Sequence, residues 1–366
     1  MAKPLCQYFG ICAGCSSQHI DYPTQIGNKK KLLANLLHTE INCYNGKEYY
    51  YRNRMEFLFG SKEIGLRKKG EHGRIVDIEK CVICNEKVNV ILNEVRLFFK
   101  RHPNPAYKFV VVRATEYTSS VSIVLNSTSS SLTEAVENVR EFSTLTSTEN
   151  VIVTYIKNDE NEAYSNDYFI VKGADVLKES LLGKWFFYPV QGFFQNNSEV
   201  VEKIHKYCYN LLKGYDTKKY SLLDLYAGVG VFATINADIF ESVVLAERSR
   251  QSLDLSKINL KNNGALNAKS YLLDAKQLKK VQFKNDIFVI TDPPRSGMDM
   301  KVIGQLKKIK PKLILYISCN PFQLRKDISK FKEYQIKSVA MFDMFPQTNH
   351  IEAVVELVKS SPQGVK

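Results

Sequence analysis

Cys319 stands in the run Leu-Ile-Leu-Tyr-Ile-Ser-Cys-Asn-Pro, residues 313–321. The apolar strand formers 313–317 predict a short buried β-strand, and Pro321 ends it. A thiol at the carboxyl end of a strand lies where open α/β sheets gather their reactive groups. It suits a nucleophile, a metal ligand or plain packing. Two acids share its setting. Asp292 follows the apolar run 287–290 in Thr-Asp-Pro-Pro-Arg-Ser-Gly, where two prolines fix the backbone and hold the carboxylate toward the strand-end crevice. Glu352 is flanked by apolar residues in His-Ile-Glu-Ala-Val-Val. Partial burial would raise its pKa and make it a usable base, although an acid in a strand is more often a surface residue.

The elements that carry these groups alternate, strand with helix, from about residue 199 onward. That is the pattern of an α/β, doubly wound, Rossmann-like sheet. Residues 222–230, Leu-Leu-Asp-Leu-Tyr-Ala-Gly-Val-Gly, read as a strand and a glycine turn into a helix. Gly228 and Gly230 let the backbone approach a ligand closely. Residues 243–247 form a second strand ending in Glu247, an acid placed to hold a ribose diol. Ala233 and Thr234 occupy the region of a dinucleotide fingerprint's third glycine, which favours S-adenosyl-L-methionine over a nicotinamide cofactor. A third strand ends near Asp274, which could bind an adenine amino group. X-Pro-Pro segments like the one at Asp292 mark methyltransferases acting on planar nitrogen heterocycles.

Cys6, Cys12 and Cys15 form a C-x5-C-x2-C triplet interleaved with Gly10 and Gly14. Three thiolates need a fourth ligand, and Cys81 or Cys84 can supply it from a distance. All-sulfur ligation fits zinc or an iron–sulfur cluster. One close triplet with a remote fourth ligand, in place of paired C-x2-C knuckles, favours [4Fe–4S].

The formal charge of +13 over 366 residues points to a polyanionic partner. Aromatics beside arginines at residues 49–57, with Arg52 and Arg54, suit a nucleic-acid surface or a hairpin strand with snorkelling arginines. Arg67 is expected in a turn near the same surface. Residues 23–37 read as a helix with Lys29, Lys30 and Lys31 on its exposed side. Strand-strand-helix-strand-strand is expected between 109 and 171. No apolar run is long enough to span a bilayer, and the first residues lack a signal-peptide core, so a cytoplasmic protein without a membrane or obligate protein partner is expected. Three domains follow: 1–100, cysteine-bearing and RNA-contacting; 101–187, a central α+β layer; 188–366, the donor-binding sheet.

Together these segments resemble the S-adenosyl-L-methionine-dependent RNA uracil-C5 methyltransferases over nearly the whole chain. The carriers are Phe193-Phe194-Gln195-x-Asn197, Asp224-Leu225-Tyr226-x-Gly228-x-Gly230, Asp292-Pro293-Pro294-Arg295, Ser318-Cys319-Asn320 and Phe342-Asp343-Met344-Phe345-Pro346-x-Thr348-x-His350-x-Glu352. The resemblance implies Cys319 as nucleophile and Glu352 as base. It implies Gln195, Tyr226, Glu247 and Asp292 around the methyl donor and target base, with Asp274 a looser match. It implies Cys6, Cys12, Cys15 and Cys81 as ligands of a [4Fe–4S] cluster, leaving Cys84 spare. Arg52, Arg54, Arg67 and Arg295 are the expected RNA contacts. Val231 departs from an asparagine common at that place.

The cluster cysteines, and the absence before them of the small β-barrel that some members carry, bring the chain nearest to the short 23S rRNA enzymes. The T-loop uridine of tRNA is the alternative substrate. A cytosine-C5 RNA methyltransferase would carry a cysteine in the proline motif, where this chain has Asp292. An exocyclic-amine methylase would leave Cys319 without a task. A non-catalytic RNA-binding iron–sulfur protein would have no use for a donor site.

Overall fold

The computed structural model describes residues 2–71, 73–283 and 285–360. Helix α1 (Tyr22–Leu37) is capped by Asp21, whose side chain accepts from the Thr24 amide, and leads to the short strand β1 (Asn42–Tyr44). Strands β2 (Arg54–Phe59), β3 (Ile64–Arg67) and β4 (Ile75–Asp77) precede α2 (Glu86–Phe99). Then follow β5 (Tyr107–Ala114), β6 (Ser119–Asn126), α3 (Leu132–Leu145), β7 (Asn150–Ile156) and β8 (Tyr168–Lys172). These strands form one sheet in the order β4-β3-β2-β5-β6-β7-β8. The strand-strand-helix-strand-strand pattern is present as β5 to β8.

A two-stranded ribbon, β9 (Val176–Leu181) and β10 (Lys184–Pro189), leads to α4 (Ser198–Lys213). The alternating half follows. It comprises β11 (Ser221–Leu225), α5 (Val231–Asn236), β12 (Ser242–Glu247), α6 (Arg250–Asn262), β13 (Ala268–Leu272), β14 (Ile287–Thr291), α7 (Met300–Ile309), β15 (Leu313–Ser318), α8 (Pro321–Ile328), β16 (Tyr334–Phe342) and β17 (Glu352–Lys359). The sheet order is β1-β16-β17-β15-β14-β11-β12-β13. Every residue of β11, β14 and β15 is buried. Parallel strands covered on both faces need such unbroken apolar runs. Leu222, Ile290 and Leu315 pack on one face with α4 and α5. Leu223, Val289 and Ile314 pack on the other with α1 and α7. Among the described residues, no helix is long and apolar enough to cross a membrane.

Two features depart from the sequence reading. Strand β1 adds to the far sheet, pairing in parallel with β16 through Asn42↔Ala340 and Tyr44↔Phe342. Lys29 is buried, whereas Lys30 and Lys31 are exposed as expected. Three consecutive helical residues span about 200° and cannot share one face. Gln25, Lys29, Leu33 and Leu37, each four apart, form the buried face of α1. The Lys29 ammonium lies 2.6 Å from Asp343 Oδ1, and Asp343 is wholly buried. Removing one member of such a pair leaves an uncompensated buried charge, at a cost of about 3–5 kcal/mol.

The turn after β11 winds through left-handed conformations at Tyr226 (φ 64°), Gly228 (φ 53°) and Gly230 (φ 78°). A Cβ at Gly228 would meet nothing within 4 Å, whereas one at Gly230 would lie 2.8 Å from Leu245 Cδ2 and 3.1 Å from Ser256 Cβ. The first glycine faces open space and the second lets α6 pack close. Both alanine substitutions carry the left-handed strain, but only Gly230→Ala overpacks the core. It should cost about 1–3 kcal/mol more than Gly228→Ala in urea unfolding. Equal losses would contradict this division.

Candidate active site

Strands β11 to β15 pair in parallel, so their carboxyl ends share one edge of the sheet. That edge carries the Tyr226–Gly230 turn after β11, Glu247 at the end of β12, Asp274 after β13, Asp292 after β14 and Cys319 after β15. Strand β17 runs antiparallel to β15, so its beginning, Glu352, reaches the same edge. Ser318 pairs with Ala353. Continuing that register by one residue sets Cys319 opposite Glu352.

One side of the edge is organised by carboxylates that hold backbone. Glu247 Oε2 accepts from the Gly228 amide at 2.9 Å and its Oε1 from the Ser249 amide at 2.7 Å. Each oxygen keeps a second lone pair for a ligand. Asp274 accepts from the Lys276 amide at 2.8 Å and caps the short turn Ala275–Lys280. Gln195 is half-buried in the segment between β10 and α4, and its carbonyl accepts from Asn53 Nδ2 at 3.4 Å. Burial pushes the Tyr226 hydroxyl up to about 12.

The other side concentrates acids around the thiol. Glu352 is buried, and desolvation followed by the neighbouring Asp292 charge holds its carboxyl well above the usual range. Desolvation also pushes Asp292 up to about 7, although part of its surface stays open to the crevice. Cys319 is half-buried and raised to about 11, first by desolvation, then by Glu352 and Asp292; Arg295 opposes the rise. At neutral pH the resting thiol therefore keeps its proton, and burial makes the Glu352 carboxylate a stronger base than an exposed one. Such a site can lend a sulfur nucleophile and accept a proton within one crevice.

Two residues anchor the site from behind, and one of them, Asp327, escaped the sequence reading. Asp327, buried in α8, accepts from Tyr316 Oη of β15 at 2.7 Å and from the Met298 amide at 2.9 Å. It thus ties the strand before Cys319 to the loop after Asp292. Its only sequence signal is an acid three residues from Leu324, on the face that packs inward. Asp224, fully buried, accepts from the Ala233 amide at 2.9 Å and holds the start of α5.

Cys6, Cys12, Cys15 and Cys81 line one cavity with Leu66 and Ile78 among its apolar walls; Cys84 is not part of the lining. Burial raises Cys6, Cys12 (about 11) and Cys15 (about 12). Cys81 is lowered to about 7, chiefly by a hydrogen bond from Cys84. The eight cysteines are free thiols. Among the described residues, no group of three or more His, Cys, Asp or Glu is arranged to hold a metal ion as it stands. Arg67 is exposed at the end of β3, its carbonyl accepting from the Ala13 amide beside the cysteines. Arg52 is half-buried, 5.8 Å from the centroid of Phe345, and donates to the Arg54 carbonyl at 2.8 Å. Arg54 pairs with Glu56. Arg295 is exposed, its carbonyl accepting from Asn320 Nδ2 at 3.1 Å.

The buried Asp224 also sets a pH dependence. Desolvation raises its carboxyl from 3.8 to about 7, so across that interval the folded chain keeps a proton that the unfolded chain has lost. Its contribution to stability is full below the lower value and is lost as pH rises through the upper one. Asp224→Asn keeps the acceptor for the Ala233 amide and removes the titration. The unfolding free energy of the wild type relative to Asp224→Asn should fall between about pH 4 and pH 7. A difference constant with pH would contradict the assignment.

A sequence model of tRNA (uracil-5-)-methyltransferases matches residues 21–360. An RNA methyltransferase of Caldanaerobacter subterraneus is 31% identical, over 97% of this chain and 84% of its own length. The tRNA (uracil(54)-C(5))-methyltransferase of Pyrococcus horikoshii is 27% identical, over 96% of this chain and 85% of its own. The crystal structure of the Pyrococcus abyssi tRNA (uracil-54, C5)-methyltransferase with S-adenosyl-L-homocysteine superposes with a TM-score of 0.78 at 22% identity, covering 95% of this chain and 86% of that one. It shows the same fold. With a family match spanning all but the termini and a relative above 30% identity along nearly the full length, the chain belongs to the tRNA (uracil-5-)-methyltransferase family.

Proposed function

We propose that this RNA uracil-C5 methyltransferase works through a temporary bond between Cys319 Sγ and carbon 6 of the target uracil. The supporting observation is the convergence of Cys319, Glu352 and Asp292 on the strand edge that also bears the glycine turn. Carbon 5 of uracil is too weak a nucleophile to attack a methylsulfonium unaided. Attack of the Cys319 thiolate on carbon 6 forms the S–C bond and moves the ring's π electrons onto carbon 5 and oxygen 4. The thiol must first lose its proton, and Asp292, poised near 7, is the neighbouring acceptor. S-adenosyl-L-methionine supplies the methyl group when bound. Gly228 would leave room for it, Glu247 would offer its free lone pairs to the ribose, and Asp274 and Tyr226 would border the adenosine. Gln195 and Arg295 hold the uracil edge, and the latter's charge steadies the enolate. Glu352 then takes the proton from carbon 5; those electrons restore the ring double bond and expel Cys319. The uridine must leave its stack to enter, so loops of folded RNA are the targets.

For the RNA itself, tRNA is the reading with named support, since the Pyrococcus horikoshii relative is named for tRNA uracil 54. The 23S rRNA reading rests on the cysteine pattern and finds no counterpart in the named relatives. Methyl-acceptor assays on tRNA and 23S rRNA transcripts decide between them. In this reading residues 188–366 bind the donor, 101–187 connect, and 1–100 face the RNA through Arg52, Arg54 and Arg67. The reading of a [4Fe–4S] cluster over a single zinc ion rests on the spacing of one close triplet with a remote fourth thiol, and the four thiols line one apolar-walled cavity. Cys6, Cys12, Cys15 and Cys81 would hold it. No step of the reaction calls for an electron, so its service is structural or RNA-facing.

Cys319→Ala should bind the donor normally in calorimetry and lose methyl transfer; normal turnover would remove the thiol from the mechanism. Glu352→Gln should accumulate a covalent RNA adduct on a denaturing gel, and a lack of adduct would dismiss it as the base. Iron and acid-labile sulfide in anaerobically purified protein should approach about four of each per chain. Zinc in place of iron would overturn the cluster reading.

A further inference from the structure

The segment between β16 and β17, residues 343–351, leads directly into Glu352. Connecting segments ordinarily run over the surface. Asp343, Met344, Pro346, Gln347 and Thr348 of this one are buried. Gln347 adopts a left-handed conformation (φ 65°), which a side-chain-bearing residue keeps only where its surroundings over-determine it.

Those surroundings come from the other end of the chain. Lys29 Nζ donates to Asp343 Oδ1 at 2.6 Å and to the Phe345 carbonyl at 3.2 Å. Tyr22 Oη donates to Asp343 Oδ2 at 2.9 Å. The Gln25 and Gln347 amides are reciprocally joined. Gln25 Nε2 donates to Gln347 Oε1 at 2.9 Å, and the Gln347 backbone amide donates to Gln25 Oε1 at 3.2 Å. The Gln347 carbonyl accepts from the amides of Ser16 and Ser17, at 3.0 and 3.1 Å. Ser17 Oγ donates to Asn349 Oδ1 at 3.0 Å. Ser16 and Ser17 directly follow Cys15.

We propose that Lys29 and Gln25 are positioning residues for proton abstraction: through Asp343 and Gln347 they hold the segment that sets Glu352 against Cys319. Burying an ammonium and a carboxylate costs desolvation that an apolar pair would avoid. What the pair contributes is a fixed location for a strand entrance that no ladder reaches, since β17 pairing begins at Glu352 itself. The same contacts make the cysteine-bearing segment part of the support, because the bonds to Gln347 start one residue beyond Cys15. The inference rests on the reading of Glu352 as the base.

The test is steady-state kinetics combined with adduct trapping on Lys29→Met, with Glu352→Gln beside it. A misplaced base slows the last step alone. So kcat should fall by about 100-fold. KM should fall in step with it, leaving kcat/KM within about twofold of wild type, because the steps through methyl transfer are untouched. A covalent protein–RNA adduct should build up on denaturing gels, as in Glu352→Gln. Full kcat in Lys29→Met, or lost kcat without adduct while Glu352→Gln does form it, would overturn the positioning role. Absence of adduct from Glu352→Gln would instead sink the base reading, and this inference with it. Should Lys29→Met not fold, Gln25→Ala, which removes no charge, carries the same outcomes.

Discussion

One strand pairing governs the chemistry of this protein. In a sheet whose centre is parallel, β17 returns antiparallel beside β15, with Ser318 set against Ala353. The end of one strand and the start of the other therefore meet at a single edge. A register slip of one residue would turn Glu352 to the opposite face of the sheet. The site thus depends on the backbone ladder of the fully buried β15, with the 343–351 segment fixing the entrance of its partner strand.

That location has an electrostatic consequence. Putting acids at the mouth of a dry sheet raises them, and putting two together raises them further. Glu352 and Asp292 respond in this way, and their charges in turn hold the Cys319 proton on. A resting thiolate would be exposed to alkylation and oxidation. Here the thiol keeps its proton at neutral pH. Beside the glycine turn, Glu247 satisfies backbone amides and shapes the turn, so acids adjacent on one edge do different work according to what they bond.

Much of this was legible in the sequence because it is locally encoded. The apolar runs before Asp292 and Cys319 could only be buried strands, and prolines and glycines marked where each ends. Glu247, at the end of a four-residue apolar run, was readable for the same reason. The misreadings share one cause: the deciding partner lies far along the chain. Lys29 looked like one of three solvated lysines, since nothing near it announces Asp343 more than three hundred residues later. Strand β1 is three residues long with an unremarkable composition, and only the open edge of β16 makes it a strand. Asp327 resembles any helix acid until Tyr316 and the Met298 amide converge on it. The cysteine motif was legible as a set, and the structure gathers its four members around a cavity lined with apolar side chains.

The central claim is a sulfur–carbon bond to the pyrimidine ring, and the most direct measurement replaces the hydrogen that must leave. RNA carrying 5-fluorouridine at the target position gives the base nothing to abstract. After incubation with S-adenosyl-L-methionine, the protein should be trapped in an RNA complex that survives denaturation. Mass spectrometry of the digested complex should locate the bond on the peptide containing Cys319. Ordinary transcripts methylated at full rate by protein that 5-fluorouridine RNA never traps would contradict the account.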